Sequence, residues 1–119
     1  MKLLTQDIHN QLLRNGRVRR DHTDAGHDEP DFMPVVKLFT PDGAATWLLS
    51  ELDPDDTDIA FGLCNLGFGT PELGCVRISE LKSVRGRLGL AVERDRSFRA
   101  DKTLSEYADQ ARLTGHLSA

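Results

Sequence analysis

Hydrophobic positions along the chain recur at two periods, and the changes of period divide it into elements. Near the N-terminus Ile8, Leu12 and Leu13 follow Thr5 at helical spacing, with Thr5 as the cap and Leu3 and Leu4 folding back onto the same face. Asn15-Gly16 supplies a left-handed stop. From Arg17 to Asp31 the pattern collapses. Val18 is the one large aliphatic residue there, so the segment 17–31 is expected as a mobile surface loop.

Period two begins at Met33. Val35, Lys37 and Phe39 alternate with Val36 and Leu38 up to Thr40, Pro41-Asp42-Gly43 makes a tight turn, and Ala44 to Leu52 returns. Trp47 is expected in the core, on the side of Leu49 and of Val35 or Phe39. Both strands carry apolar residues on both faces, which predicts a central hairpin. An acidic loop, Asp53 to Asp58, leads to the longest alternating signal, Asp58–Asn65 and Glu72–Ile78 joined across Leu66–Pro71. This is a second β-hairpin, with Ile59, Phe61 and Leu63 on one face of its first strand.

After Ile78 the expected elements are short. Ser79 caps a helix through Leu81 and Val84 that Gly86 ends, and Gly89 to Asp95 is extended, with Val92 in the core. Thr103-Leu104-Ser105-Glu106 is a capping box, in which Thr and Glu satisfy exposed backbone donors reciprocally. It opens a helix with Leu104, Tyr107, Ala108 and Ala111 on one face, ended by Gly115, with 115–119 as a frayed tail. These elements predict an α+β domain spanning 1–119: an antiparallel sheet of about four strands with N-terminal, middle and C-terminal helices packed on it.

Composition narrows the classes further. A hydrophobic fraction of 39% and a charged fraction of 29% are those of an ordinary globule, which argues against wholesale disorder. The net charge of -4 is too mild for a general electrostatic grip on nucleic acid or an anionic membrane. No apolar run approaches the roughly 20 residues that span a bilayer, and Met1 to Thr5 lacks the apolar core of a signal peptide. With two cysteines in predicted strands, the expectation is a cytoplasmic protein with free, buried thiols.

Candidate chemistry is sparse. Asp53, Asp55, Asp56 and Asp58 suggest calcium, but an EF-hand loop counted from Asp53 puts Asp58 and Cys64 where Gly and Glu belong, so a solvated turn is the reading. Cys64 and Cys75, with ten residues between them across a hairpin, are candidates to lie near each other on one face, but no further ligands complete a zinc site. His22 and His27 lack the spacing of a helical metal site, and no metal or cofactor is expected. Arg17-Val18-Arg19-Arg20 reads as a solvated cluster. Arg85, Arg87, Arg94, Arg96 and Arg99 lie in two neighbouring irregular segments, where Arg suits bidentate contact with carboxylate or phosphate. Glu51, Asp53, Glu72, Glu93 and Asp95 are the carboxylates that a cleft would gather.

Several phrases together resemble the bacterial domain-of-unknown-function family 2958: Pro34-Val35-Val36-Lys37-Leu38-Phe39, Ala44-Ala45-Thr46-Trp47-Leu48, Glu51-Leu52-Asp53, Phe61-Gly62-Leu63, Pro71-Glu72-Leu73-Gly74, Ser79-Glu80-Leu81, and Gly89-Leu90 with Val92-Glu93-Arg94-Asp95. The resemblance covers nearly the whole chain. Departures fall in 17–31, at the far C-terminus and at Arg96-Ser97-Phe98, where members tend to read Leu-His-Phe. What it implies is a small bacterial protein frequently carried on plasmids and integrative elements, beside conjugation, replication and antirestriction genes. It implies no activity, cofactor or catalytic residue.

The expectation for function is therefore a non-catalytic accessory protein that binds a macromolecular partner, with host-defence or conjugation machinery as the candidate partners. The binding surface would be Phe68, on its Gly-flanked turn, together with the arginines from Arg85 to Arg99. The alternatives are a small hydrolase-like enzyme using Glu51, Asp53, Glu72, Glu93 and Asp95, and a nucleic-acid-binding protein using the arginines with Trp47 or Phe68 for stacking. Oligomeric state is left open.

Overall fold

The computed structural model describes residues 2–67 and 70–119. Helix α1 runs Gln6–Asp24, followed by strands β1 (Val36–Phe39), β2 (Thr46–Leu52), β3 (Ile59–Asn65) and β4 (Glu72–Arg77). Helix α2 (Ile78–Ser83), the short strand β5 (Glu93–Arg94) and helix α3 (Leu104–Thr114) complete the chain. The strands form one antiparallel sheet in the order β4-β3-β2-β1-β5. The fold is α+β, with β5, inside the segment expected to be extended, added to the four strands of the two hairpins.

The largest correction concerns α1. It begins as expected, with Thr5 Oγ1 accepting from the Ile8 amide, but it does not stop at Asn15-Gly16; the segment from Arg17 to Asp24, expected as loop, is helix. Gly16 keeps helical backbone, and its role is close approach. A Cβ there would lie 1.8 Å from the Leu52 carbonyl oxygen, so only glycine lets the helix lie this close to β2. Asn15 sits beside it and donates through Nδ2 to the Ser50 carbonyl at 2.9 Å. Both residues of the expected stop thus dock the helix. The helix ends later, where Gly26 takes φ 72° and the amides of Gly26 and His27 reach back to Thr23 and His22, a Schellman motif.

A bulge in β2 decides which side chains face which layer. Trp47 and Leu49 project toward α1 and α2, whereas Leu48 projects to the α3 side. The register then slips between Leu49 and Glu51, so Leu52 returns to the α1 side and Glu51 lies opposite Phe61. One core comprises Leu3, Leu12, Val36, Leu38, Trp47, Leu49, Leu52, Ala60, Ile78, Leu81 and, as expected, Val92; the other, beneath α3, comprises Leu48, Leu63, Leu104, Tyr107 and Ala108. Trp47 is buried as expected, on the side of Leu49 and Val35; its cross-strand partner is Leu38, and Phe39 pairs with Thr46.

Smaller elements follow the sequence closely or fail for a visible reason. The Thr103–Glu106 capping box forms, Leu104, Tyr107, Ala108 and Ala111 are all buried, and Gly115 closes α3 at φ 79°. Asp31 braces the same helix start by accepting from the Ser105 hydroxyl and amide. Helix α2 has no side-chain cap of its own; Ser79 instead donates through both hydroxyl and amide to Asp58 of the β2–β3 loop. It ends at Ser83 rather than at Gly86, which presses against the Asp42 side chain. The C-terminal tail is irregular; Leu117 packs under α3, and Lys37 Nζ donates to the Ala119 carbonyl at 2.8 Å. Cys64 and Cys75 are free, but three register positions separate them, which puts them on opposite faces. Cys64 is half-buried, where desolvation pushes its thiol up, and Cys75 is exposed. Neither matches the buried thiol expected.

Candidate functional site

The β2 bulge and the C-terminal half of α1 together build a cleft of about 370 Å³. Gly16, Arg19 and Arg20 line it from the helix, and Glu51, Asp53 and Phe61 from the sheet. Glu51 is the buried carboxylate here, with only 5% of its surface exposed. Its Oε2 accepts from Arg19 Nε at 2.6 Å. The Arg19 guanidinium is fully engaged: its other nitrogens meet Glu29 at 3.4 Å and the Pro30 carbonyl at 3.0 Å. The rings of Phe32 and Phe61 both lie within 6 Å of its central carbon, a double cation–π contact. The hydrogen bond to Glu51 outweighs partial burial and holds Arg19 even more firmly protonated.

The acidic loop beyond Glu51 spends its charges locally. Arg20 Nη2 meets Asp55 at 2.8 Å and Asp53 at 3.6 Å, and the hydrogen bond from Arg20 holds the Asp55 carboxyl below the usual range. Asp53 and Asp56 accept from backbone amides two residues on, and Arg77 joins Asp56 and Asp58. These contacts make a braced turn. No group of three His, Cys, Asp or Glu side chains placed to hold a metal occurs among the described residues.

The five carboxylates proposed for one acidic cleft do not share one. Glu51 and Asp53 line the cleft just described. Glu72 and Glu93 lie on β4 and β5, the two opposite ends of the sheet, four strand spacings or roughly 19 Å apart. Asp95 is beside Lys37, at 3.7 Å. Among the arginines, Arg85 donates to the Lys82 and Val84 carbonyls, Arg94 to the Lys2 and Leu3 carbonyls, and Arg99 to the Phe98 carbonyl. Arg87 and Arg96 are exposed. Phe68, the expected anchor, lies outside the described residues.

A second feature carries no side-chain chemistry. Strand β4 ends the sheet, and five of its six residues are exposed. The Ile78 amide donates to the Asp58 carbonyl at 2.8 Å, in the register that pairs Val76 with Ala60. Bonded and non-bonded pairs alternate in an antiparallel ladder. Glu72, Gly74 and Val76 therefore turn their amides and carbonyls to β3, while Leu73, Cys75 and Arg77 turn theirs outward. The opposite end of the sheet is the two-residue β5.

Sequence reasoning missed Arg19, Phe32 and this backbone edge. The apolar periodicity of α1 stops at Leu13, and beyond it Gly16 and Arg19 face the sheet without an apolar side chain to mark the helix. The edge had no signal either, because outward amides depend on strand order. No described helix is long and apolar enough to cross a membrane. Neither the curated proteins nor the solved structures gave a match. The family described as protein of unknown function DUF2958 matches residues 3–118, and the chain belongs to that family.

Proposed function

We propose that the protein works by binding a macromolecular partner, without turning over a substrate, and that the partner docks along the outer edge of β4. The observation that carries this reading is the edge itself: outward amides and carbonyls at Leu73, Cys75 and Arg77 on a strand with no neighbouring strand beyond it among the described residues. Natural proteins blunt such edges with short strands, proline or inward charges. Strand β4 carries charges only at its two ends, Glu72 and Arg77; between them it has no proline, no charge and no bulge, and it presents Leu73 at 38% exposure. The dispersal of the carboxylates and the commitment of Glu51 to Arg19 count against acid–base chemistry. The plasmid setting implied by the family resemblance directs the search for the partner to transfer and host-defence machinery.

A photo-crosslinking residue placed at Leu73 tests this in a bacterial host that carries the gene. Discrete adducts should form from Leu73 and not from Leu113, an exposed leucine of α3. Equal labelling from both positions would refute the β4 site. Substrate turnover by the purified protein, lost in Glu51→Gln without unfolding, would refute the binding reading as a whole.

A further inference from the structure

Resting on that docking reading, we infer what the edge accepts: an extended peptide segment that adds to β4 as a sixth strand, with apolar side chains and a Lys or Arg on the face toward α2. The outward groups of Leu73, Cys75 and Arg77 alternate with the spacing of a strand, so an extended main chain satisfies them and a helix does not. Next to this edge, on the α2 side of the sheet, lies a groove of about 370 Å³. Trp47, Leu66, Val76 and Leu81 supply its apolar surface, and Leu66 is 48% exposed. Over the middle of β4 the groove is open, since a Cβ built on Gly74 meets nothing within 4 Å.

Charge selects the occupant. Among the described residues lining the groove the charged ones are Glu72 and Glu80, both acidic and both exposed. Glu72 shares a face with its partner Cys64, and Val76 lies further along that same face, so one added strand meets both an apolar surface and an acid. A second copy of this chain fits less well. Two-fold antiparallel pairing centred on Leu73, Gly74 or Cys75 sets Glu72 against Gly74, Val76 or Ile78 of the second copy, and never against a basic residue.

The test uses the full chain and a short blocked peptide, Thr-Val-Thr-Val-Thr-Lys-Thr, which puts valines and lysine on one face of a strand. Amide NMR should show shifts and slowed hydrogen exchange at Leu73, Cys75 and Arg77. Replacing the peptide lysine by glutamate, or making the double substitution Glu72→Lys with Glu80→Lys, should weaken binding roughly fivefold or more. Methylating alternate peptide nitrogens should abolish it. Cys75→Pro removes an outward amide while leaving the bonds to β3 and should also abolish it. If Cys75→Pro does not fold, the methylated peptide still decides. Absence of shifts on β4, or equal binding of the methylated peptide, overturns the strand-addition mode. Discrete adducts from Leu73 under that outcome would keep the docking reading and refute only the mode, whereas their absence would refute both. A concentration-dependent dimer with the edge protected would assign β4 to a second copy and overturn the peptide assignment.

Discussion

At Gly16 a single hydrogen atom decides how close a helix may lie. Gly→Ala inside a helix ordinarily stabilises by about 1 kcal/mol through propensity. Here the added methyl would sit 1.8 Å from the Leu52 carbonyl oxygen, a backbone atom at the end of β2 and not the tip of a flexible side chain. Gly16→Ala should therefore destabilise, by about 2 kcal/mol, as overpacking does. Chemical denaturation gives the sign directly; a stabilised variant would contradict the docking geometry. The Arg19–Glu51 pair carries a second prediction, because its members are buried to different depths. Losing Arg19 leaves a carboxylate stranded at 5% exposure, so Arg19→Met should cost about 3 kcal/mol. Losing Glu51 leaves Arg19 with Glu29, the Pro30 carbonyl and some water, so Glu51→Gln should cost clearly less. Equal costs in the two melting curves would mean the burial asymmetry does not govern the pair.

Among the elements, α3 shows how a cap reaches across the chain. Its capping box was legible from Thr103 and Glu106 alone, because both partners lie within one turn. The brace from Asp31 was not, since nothing in the sequence distance between Asp31 and Ser105 suggests contact. Burial raises the Asp31 carboxyl, but hydrogen bonds from the Ser105 and Thr103 hydroxyls and the Ser105 amide outweigh it and hold the carboxyl below its usual range. A depressed carboxylate contributes stability that is present above its unfolded value and is lost as pH falls through its folded one. The contribution should thus be intact at neutral pH and disappear below about pH 4. Asp31→Asn should lower the melting temperature at pH 7 and leave it nearly unchanged near pH 2. A deficit that persists undiminished at low pH would remove the carboxylate from the explanation. Helix α1 shows the opposite case to α3, for there a local signal misled. Asn15-Gly16 has the composition of a C-cap, yet β2 recruits both residues, and the helix continues on ion pairs from Arg19 and Arg20 to residues of β2 and the loop after it.

For the whole molecule, one sheet between two helical layers makes the central strand β2 serve both cores. Trp47→Ala should remove contacts with one core alone and cost ~3–5 kcal/mol, a large share of the ~5–15 kcal/mol that holds a domain of this size. An unchanged melting curve would refute that placement. Much of this architecture was legible without coordinates: the two hairpins, the α+β class, the buried face of α3 and the buried Trp47 all follow from periodicity, turn residues and capping chemistry, which act between neighbours in the chain. What needed the tertiary structure is whatever depends on separation in space. The β2 bulge turns Glu51 toward Phe61, α1 lies against β2 across a glycine, the carboxylates are divided between opposite ends of the sheet, and β4 is left as its edge. Sequence spacing specifies which side chains share a face of one element. It does not specify which elements become neighbours, because that choice is made by burial of both faces of the sheet at once.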